Sequence, residues 1–235
     1  MTAKSYSAVL ERAEEIAPQT RALFLRLAPG RGLEFQPGQF LSLSIPSGEK
    51  GIVRAYSIAS HPEEPELLEI CLNLVPAGPG STYLFALTSG ARVDFTGPWG
   101  TFVLDTPPAR NCVMIAEGAG IVPFRPMIRR ALAGRDVEAL QLLHAVSDEH
   151  FLLYRSELEA RAAADRRFRF EPLVEGGGDH EHLQLLDLVR QRYVDAGVQP
   201  GRNFYICGVG DVVTRLRDLL RGAGYERRTV HYEKW

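Results

Sequence analysis

The sequence predicts two domains of different class. Residues 1–105 read as a small antiparallel β-barrel or sandwich, and residues 111–235 as an α/β domain whose parallel sheet carries helices on both faces. Three observations carry this. The first part is a series of short β-forming runs punctuated by Pro and Gly. The second alternates strand-length apolar runs with helix-periodic segments. Between them, Thr106-Pro107-Pro108-Ala109-Arg110 places two prolines in a polar stretch, which favours an extended linker.

In chain order, strands are expected at residues 7–14, 20–27, 40–45, 53–59, 67–75, 92–96 and 101–104. Pro18, Pro29-Gly30, Pro37-Gly38 and Pro46 separate the early ones. A short helix is expected at 81–87, directly after Pro76-Ala77-Gly78-Pro79-Gly80, with Ser81 near its start. Past the linker the order is strand 111–116, helix 123–132, strand 138–146, helix 156–164, strand 168–174, helix 182–195, strand 203–207, helix 212–221 and strand 229–232. Alternating order of this kind gives a parallel sheet.

Composition limits the function classes. The 235 residues are 45% hydrophobic and 24% charged, a globular profile, and the net charge of -2 offers no case for nucleic acid or an anionic membrane. Cys71, Cys112 and Cys207 are too far apart for a zinc site or an iron–sulfur cluster, and an odd count argues against a disulfide framework. A reducing, cytoplasmic setting is expected. The stretch Met1-Thr2-Ala3-Lys4-Ser5-Tyr6 has no apolar signal core, and no run is long and apolar enough to span a bilayer.

Five stretches could carry chemistry. In Arg54-Ala55-Tyr56-Ser57-Ile58-Ala59-Ser60, strand alternation puts Arg54, Tyr56 and Ile58 on one face and Ala55, Ser57 and Ala59 on the other. A guanidinium and a phenol so placed suit a ligand with an anionic and a flat aromatic end; alternatively both face water. Gly78-Pro79-Gly80-Ser81-Thr82 precedes a helix start, where free amides and hydroxyls bind anions, unless it is a plain turn. Glu117-Gly118-Ala119-Gly120-Ile121-Val122-Pro123-Phe124 follows the first strand of the α/β half, a place for a dinucleotide, although Pro123 breaks the full glycine fingerprint. Cys207-Gly208-Val209-Gly210-Asp211 ends a later strand on the same sheet edge. Gly97-Pro98-Trp99-Gly100-Thr101-Phe102 reads as a hairpin turn. Three others read as structural: Asp179-His180-Glu181-His182 beside Gly176-Gly177-Gly178 is a solvated loop with no metal expected, His144 belongs to the core, and Arg166-Arg167 is solvated surface.

Taken together and in order, these motifs resemble those of the ferredoxin–NADP reductase family of flavoproteins, from Tyr6 to Trp235. The family's flavin signature Arg-x-Tyr-Ser is matched by Arg54-Ala55-Tyr56-Ser57, and its Gly-x-x-Ser by Gly78-Pro79-Gly80-Ser81. Its Gly-Pro-x-Gly turn is matched by Gly97-Pro98-Trp99-Gly100, and its Gly-Thr-Gly-x-x-Pro-Phe by Gly118-Ala119-Gly120-Ile121-Val122-Pro123-Phe124. Cys207-Gly208 and Glu233-Lys234-Trp235 complete the set.

The resemblance implies an FAD-binding β-barrel, a Rossmann-like domain for NADH or NADPH, hydride transfer to flavin N5 and one-electron exit to a separate carrier. It implies that Tyr56 stacks on the isoalloxazine, Arg54 (with Ala55 beside it) holds the pyrophosphate with Gly78, Gly80, Ser81 and Thr82, and Ser57 reaches the N5 edge. Cys71, Leu72 and Asn73 match the strand along the adenine and phosphate side. Gly118, Ala119, Gly120, Pro123 and Gly208 match the nucleotide-binding turns, Cys207 and Glu233 stand near the nicotinamide, and Trp235 covers the open flavin face.

The carrier is expected to be a ferredoxin, a flavodoxin or an oxygenase component, because the chain has no cluster-binding cysteines of its own. Three departures bear on the nucleotide: Ala119 replaces a Thr, Ser147-Asp148-Glu149 stands where NADP users place Arg or Ser, and Glu175-Gly176-Gly177 stands where a Ser-Arg pair binds the 2′-phosphate in plant-type members. A carboxylate there accepts from a ribose 2′-OH and repels a 2′-phosphate, so NADH is expected to be preferred. Two other activities fit the same domains: a flavin or ferric reductase, and a flavin-binding electron-transfer subunit without hydride chemistry.

Overall fold

A computed structural model describes residues 4–48, 50–176 and 182–235. Two compact units form. One holds the residues up to Val103 together with Val122–Met127; the other holds Leu104–Ile121 and Ile128–Trp235.

The first unit is a six-stranded antiparallel sheet of β1 (Lys4–Ala17), β2 (Thr20–Leu27), β3 (Phe40–Ile45), β4 (Ile52–Ser57), β5 (Leu67–Asn73) and β6 (Arg92–Trp99), in the order β4-β3-β6-β1-β2-β5. Alternation builds the core: Leu41, Leu43 and Ile45 of β3 point inward while Ser42 and Ser44 do not. Just past β4, Ile58 bridges to Ile70 of β5, so the two outer strands meet and the sheet curls into a barrel. Helix α1 (Pro79–Ala86) starts two residues before the expected point because Pro79 takes the first helical position, where its missing N–H costs nothing.

Four expectations fail here or in the second unit. Residues 101–104 form no strand; Phe102 is buried instead, its ring tilted against Phe124 at 5.7 Å. Gly97-Pro98-Trp99 is not a hairpin turn but the end of β6, with a cis Gly97–Pro98 bond and Trp99 paired to Phe40. A proline can sit there because the ladder shifts register between Phe40 and Ser42, so no N–H is required of it. The alternation expected through Ala59 stops at Ser57, since Ser57, Ile58 and Ala59 are all buried. Arg167, expected in solvent, is half-buried: it pairs with Asp165 and donates to the Leu132 (2.6 Å) and Gly134 (2.8 Å) carbonyls at the end of a helix.

The second unit is a five-stranded parallel sheet of β7 (Asn111–Glu117), β8 (Ala139–Val146), β9 (Phe168–Val174), β10 (Arg202–Gly208) and β11 (Val230–Lys234), ordered β11-β10-β7-β8-β9. Helices α2 (Phe124–Ala133), α3 (Arg155–Ala164), α4 (Leu183–Arg190) and α5 (Val212–Gly222) lie between the strands in sequence. Val113, Ile115, Leu143, Phe204 and Ile206 pack with Leu185 and Val189 of α4 and Leu216 and Leu220 of α5. The alternate residues Met114, Leu142 and Tyr205 are also 0% exposed, so both faces are covered. The expected helix 182–195 is α4 followed by a π-helical turn, Gln191–Asp195. The chain runs from β7 outward to β9, then returns to the other side of β7 with β10. The carboxyl ends of β7 and β10 therefore form a switch point, where such sheets bind ligands.

Candidate functional site

In the barrel unit, β4 and the start of α1 come together. Gly80 is the reason they can. A β-carbon there would lie 3.0 Å from Arg54 Cγ, 3.2 Å from Ile45 Cδ1 and 3.7 Å from the Tyr56 hydroxyl. The missing side chain lets the helix N-terminus lie against Arg54 and Tyr56. Burial raises the Tyr56 phenol above its ordinary value, partly offset by Arg54, so it stays protonated. Arg54 is exposed and donates to the Val53 carbonyl at 2.9 Å.

The loop before α1 is stapled by Ser81. Its Oγ accepts from Val75 N at 2.9 Å, while Gly78 N donates to Val75 O at 2.9 Å and Thr82 N to Gly78 O at 3.0 Å. The Ser81 hydroxyl thus has internal partners. What the helix start offers an anion is the Gly80 and Ser81 amides, which precede the first intrahelical bond, with exposed Thr82 beside them.

Ser57 is 1% exposed and its Oγ has no hydrogen-bond partner among the described residues; Ser60 Oγ is likewise buried and unpartnered. Ala55 is exposed on the strand. On β5, Leu72 belongs to the barrel core, so only its backbone can face a ligand; Cys71 is buried, and exposed Asn73 accepts from Thr20 Oγ1 at 3.1 Å.

One element was missed from sequence. Arg125 Nη1 donates to Glu69 Oε2 at 2.5 Å and to the Ala59 carbonyl at 3.4 Å, and Ala59 N donates to Glu69 O at 2.7 Å. This buried pair fixes the segment that follows Ser57. Its signal was available: Glu69 and Arg125 are each a lone charge inside an apolar run, and buried charges are found paired.

In the α/β unit, the predicted residues gather at the switch point. The turn Gly118–Ile121 follows β7, and Gly118 has φ +52° with open space where a β-carbon would be. Gly120 is the opposite case. A β-carbon there would fall 2.1 Å from the Cys207 carbonyl oxygen and 2.8 Å from Gly208 N. Ala119, half-buried, lies between them, and Pro123 is buried just before α2. The Glu117 carboxylate accepts from Val209 N at 2.8 Å, tying the end of β7 to the turn after β10.

Cys207 is 0% exposed and pairs in the ladder with Glu233. The Trp235 indole N–H donates to Cys207 Sγ at 3.1 Å, and Trp235 N donates to Gly208 O at 3.1 Å. Burial pushes the Cys207 thiol well up, despite the Trp235 bond, and pushes Glu233 up to about 7. The edge therefore presents a neutral thiol and a carboxyl that is partly protonated near neutrality.

Ser147 and Asp148 are exposed just past β8, one strand over. Asp148 Oδ1 accepts from His150 N at 2.9 Å and lies 2.5 Å from His150 Nδ1. These contacts hold its carboxyl below the ordinary value, and the carboxylate in turn raises His150. Glu175 accepts from Leu185 N at 2.9 Å and pairs with His182 at 2.6 Å. Gly177, Gly178, Asp179, His180 and Glu181 lie outside the described residues, among which no cluster of three metal-ligating side chains occurs. No helix among the described residues is long and apolar enough to cross a membrane.

The residues present fit a flavin dinucleotide in the barrel unit. A hydroxyl at Ser57 without a partner among the described residues, two helix amides ahead of the first intrahelical bond, a guanidinium and a half-buried phenol are the donors and the ring surface that such a ligand needs. Sequence comparison agrees. Residues 7–104 match the oxidoreductase FAD-binding domain model and residues 114–217 the oxidoreductase NAD-binding domain model. The chain is 31% identical over 241 residues to ferredoxin–NADP reductase B of Sorangium cellulosum (strain So ce56), covering 99% of this chain and 98% of the relative. It is 27% identical over 237 residues to the toluate 1,2-dioxygenase electron transfer component of Pseudomonas putida, covering 98% of this chain and 67% of that one.

Among solved structures, a cytochrome P450 reductase from Amycolatopsis superposes with a TM-score of 0.86 at 26% identity, over 99% of this chain and 70% of that one. A ferredoxin NADP+ reductase from Neisseria gonorrhoeae, with bound FAD and NADP, shares the fold with a TM-score of 0.84 at 22% identity over 99% of each chain. Motif order, barrel-plus-parallel-sheet architecture and these matches agree: the chain belongs to the ferredoxin–NADP reductase family and is an oxidoreductase with an FAD-binding and an NAD-binding domain.

Proposed function

We propose that the chain takes hydride from NADH or NADPH onto bound FAD and passes electrons singly to a separate carrier: a ferredoxin, a flavodoxin or an oxygenase component. The observation that supports this most is the packing of Arg54 and Tyr56 against Gly80, which gathers ring-stacking and phosphate-binding groups in one place. When bound, FAD supplies the ring that accepts a hydride and releases single electrons. Tyr56 would lie against that ring. Arg54 and the Gly80 and Ser81 amides would hold the pyrophosphate, with Gly78 and Thr82 flanking them and Cys71, Leu72 and Asn73 along the adenine side. Ser57 would offer its orphaned hydroxyl to the ring edge.

At the switch point, Gly118, Ala119, Gly120 and Gly208 would receive the nicotinamide nucleotide, with Pro123 ending the turn. Cys207, a neutral thiol, and Glu233, partly protonated near neutrality, would orient its ring, and Trp235 would cover the flavin. Cys71, Cys112 and Cys207 are not joined by a disulfide, which supports a reducing, cytoplasmic setting.

The reading extends to a preference for NADH. Asp148, beside Ser147 at the carboxyl end of β8, would accept from a ribose 2′-OH and oppose a 2′-phosphate. The test has two stages. Anaerobic NADH should bleach the flavin bands of the purified protein, and a protein that stays colourless with added FAD would end the proposal. Comparing kcat/KM for the two nucleotides then decides the preference, and a higher value with NADPH reverses it. Tight FAD retention through gel filtration separates this activity from a flavin reductase that treats flavin as substrate.

A further inference from the structure

His144 has no part in the function described so far, yet it is an unusual core residue. It lies on β8 between Leu142, Leu143, Ala145 and Val146, all buried, and is itself 0% exposed. Its Nε2 is 2.9 Å from the Gly118 carbonyl oxygen, and its Nδ1 is buried with no hydrogen-bond partner among the described residues. Burial lowers its basicity to about 4, against the raising effect of the Gly118 bond, so the ring is neutral at physiological pH. A neutral imidazole carries one proton. The Gly118 oxygen can only accept, so the proton is on Nε2 and Nδ1 is bare.

A leucine would fill this apolar position without burying a bare nitrogen, which is a costly group to leave unpaired. What the imidazole supplies in exchange is its bond to Gly118. That residue opens the turn at the switch point, in the left-handed region and facing open space. The other end of the turn lies tight on β10, with Gly120 against the Cys207 carbonyl, and the strand end before Gly118 is tied through Glu117 to Val209 N; Gly118 itself faces open space. The open end is the one His144 holds.

We propose that His144 is a positioning residue for the nucleotide: by donating Nε2–H to the Gly118 carbonyl it fixes the turn Gly118–Ile121 in the conformation that receives the nicotinamide dinucleotide. This rests on the reading of that turn as the nucleotide site. The imidazole touches no substrate; it acts through the backbone.

The test uses the FAD-loaded protein with His144→Leu and His144→Gln, the second carrying an amide N–H able to reach the same carbonyl. Three quantities are read: the Kd for NADH by fluorescence, the FAD-to-protein ratio, and amide hydrogen exchange of residues 118–121 without nucleotide. The leucine variant should bind NADH about tenfold more weakly, as expected for one lost hydrogen bond. It should also exchange faster at 118–121, with FAD content and saturating kcat little changed, and glutamine should recover most of the affinity. If leucine binds NADH like wild type, or glutamine is as weak as leucine at equal FAD content, His144 only fills space and the proposal fails. Should leucine prevent folding, His144→Asn, whose shorter amide stops short of the carbonyl, provides the same contrast with glutamine. A wild-type protein that retains FAD but neither binds nor oxidises NADH or NADPH would instead overturn the function, before any variant is compared.

Discussion

Replacing Gly120 by alanine is the sharpest local test of the switch-point geometry. The new methyl would begin 2.1 Å from the Cys207 carbonyl oxygen and 2.5 Å from its carbon. To reach even a tight 3.0 Å contact, the end of β10 or the turn must retreat by about 0.9 Å, and both obstacles are backbone rather than a side chain that can swing away. Forced backbone shifts in a packed interior cost about 1–3 kcal/mol, and this one belongs at the upper end because the Cys207 carbonyl lies in a ladder between β7 and β11. For a chain of this size, about 3 kcal/mol lowers Tm by about 6–12 °C.

Gly118→Ala is the internal control. Its β-carbon meets nothing within 4 Å, so its cost is conformational, about 1–2 kcal/mol for a left-handed alanine. The assay is thermal unfolding by far-UV circular dichroism together with the Kd for NADH. Gly120→Ala should melt lower than Gly118→Ala and bind NADH more weakly than wild type. A Gly120→Ala protein with unchanged Tm and Kd would show that the turn does not rest on β10 as described.

Three further outcomes are expected. Glu69→Gln leaves Arg125 buried without its carboxylate; at 19% side-chain exposure for the arginine this costs about 3 kcal/mol, read as a lowered denaturant midpoint, and an unchanged midpoint would refute the buried-pair account. Glu233 keeps its proton to about pH 7 in the folded chain against an ordinary value of 4.5, so its stabilising share is complete below pH 4.5 and is lost as pH rises through 7. The Tm difference between wild type and Glu233→Gln should therefore move against wild type between pH 5 and 8, and a flat difference would deny the raised value. Cys207→Ala should slow flavin reduction by about tenfold to a hundredfold in stopped-flow, as misplacement of a reacting ring does, while FAD stays bound; loss of FAD instead would mean that Cys207 serves the flavin.

Much of this architecture was legible because it rests on local rules. Pro and Gly turns separated the barrel strands, and strand–helix alternation announced the parallel sheet. Gly80 and Gly120 were singled out as parts of ligand-binding turns, and each sits where a β-carbon would meet the protein itself. What escaped depended on partners distant in sequence. Thr101-Phe102-Val103-Leu104 has strand composition, but no neighbouring strand offers a ladder, and Phe102 is used as a plug. Pro98 looked like a turn residue because the register shift that tolerates it belongs to β3. The Ser81 hydroxyl reads as a free group until it is seen to accept from Val75 N and to donate to the Gly78 carbonyl. Arg125 and Glu69 are 56 residues apart, and no periodicity links them.

The make-up of the first unit bears on how the protein can be taken apart. The linker after residue 105 invites a cut that would give two self-contained cassettes, ready for exchange between reductases. The barrel unit, however, includes Val122–Met127, and with it the ring that covers Phe102 and the guanidinium that neutralises Glu69. A fragment ending at the linker would lose the Phe124 ring from Phe102 and the Arg125 guanidinium from Glu69. Because Leu104–Ile121, with the central strand β7, belongs to the other unit, no single crossover moves the barrel with its own plug and counter-charge, and a hybrid must match Phe124 and Arg125 to the barrel it receives.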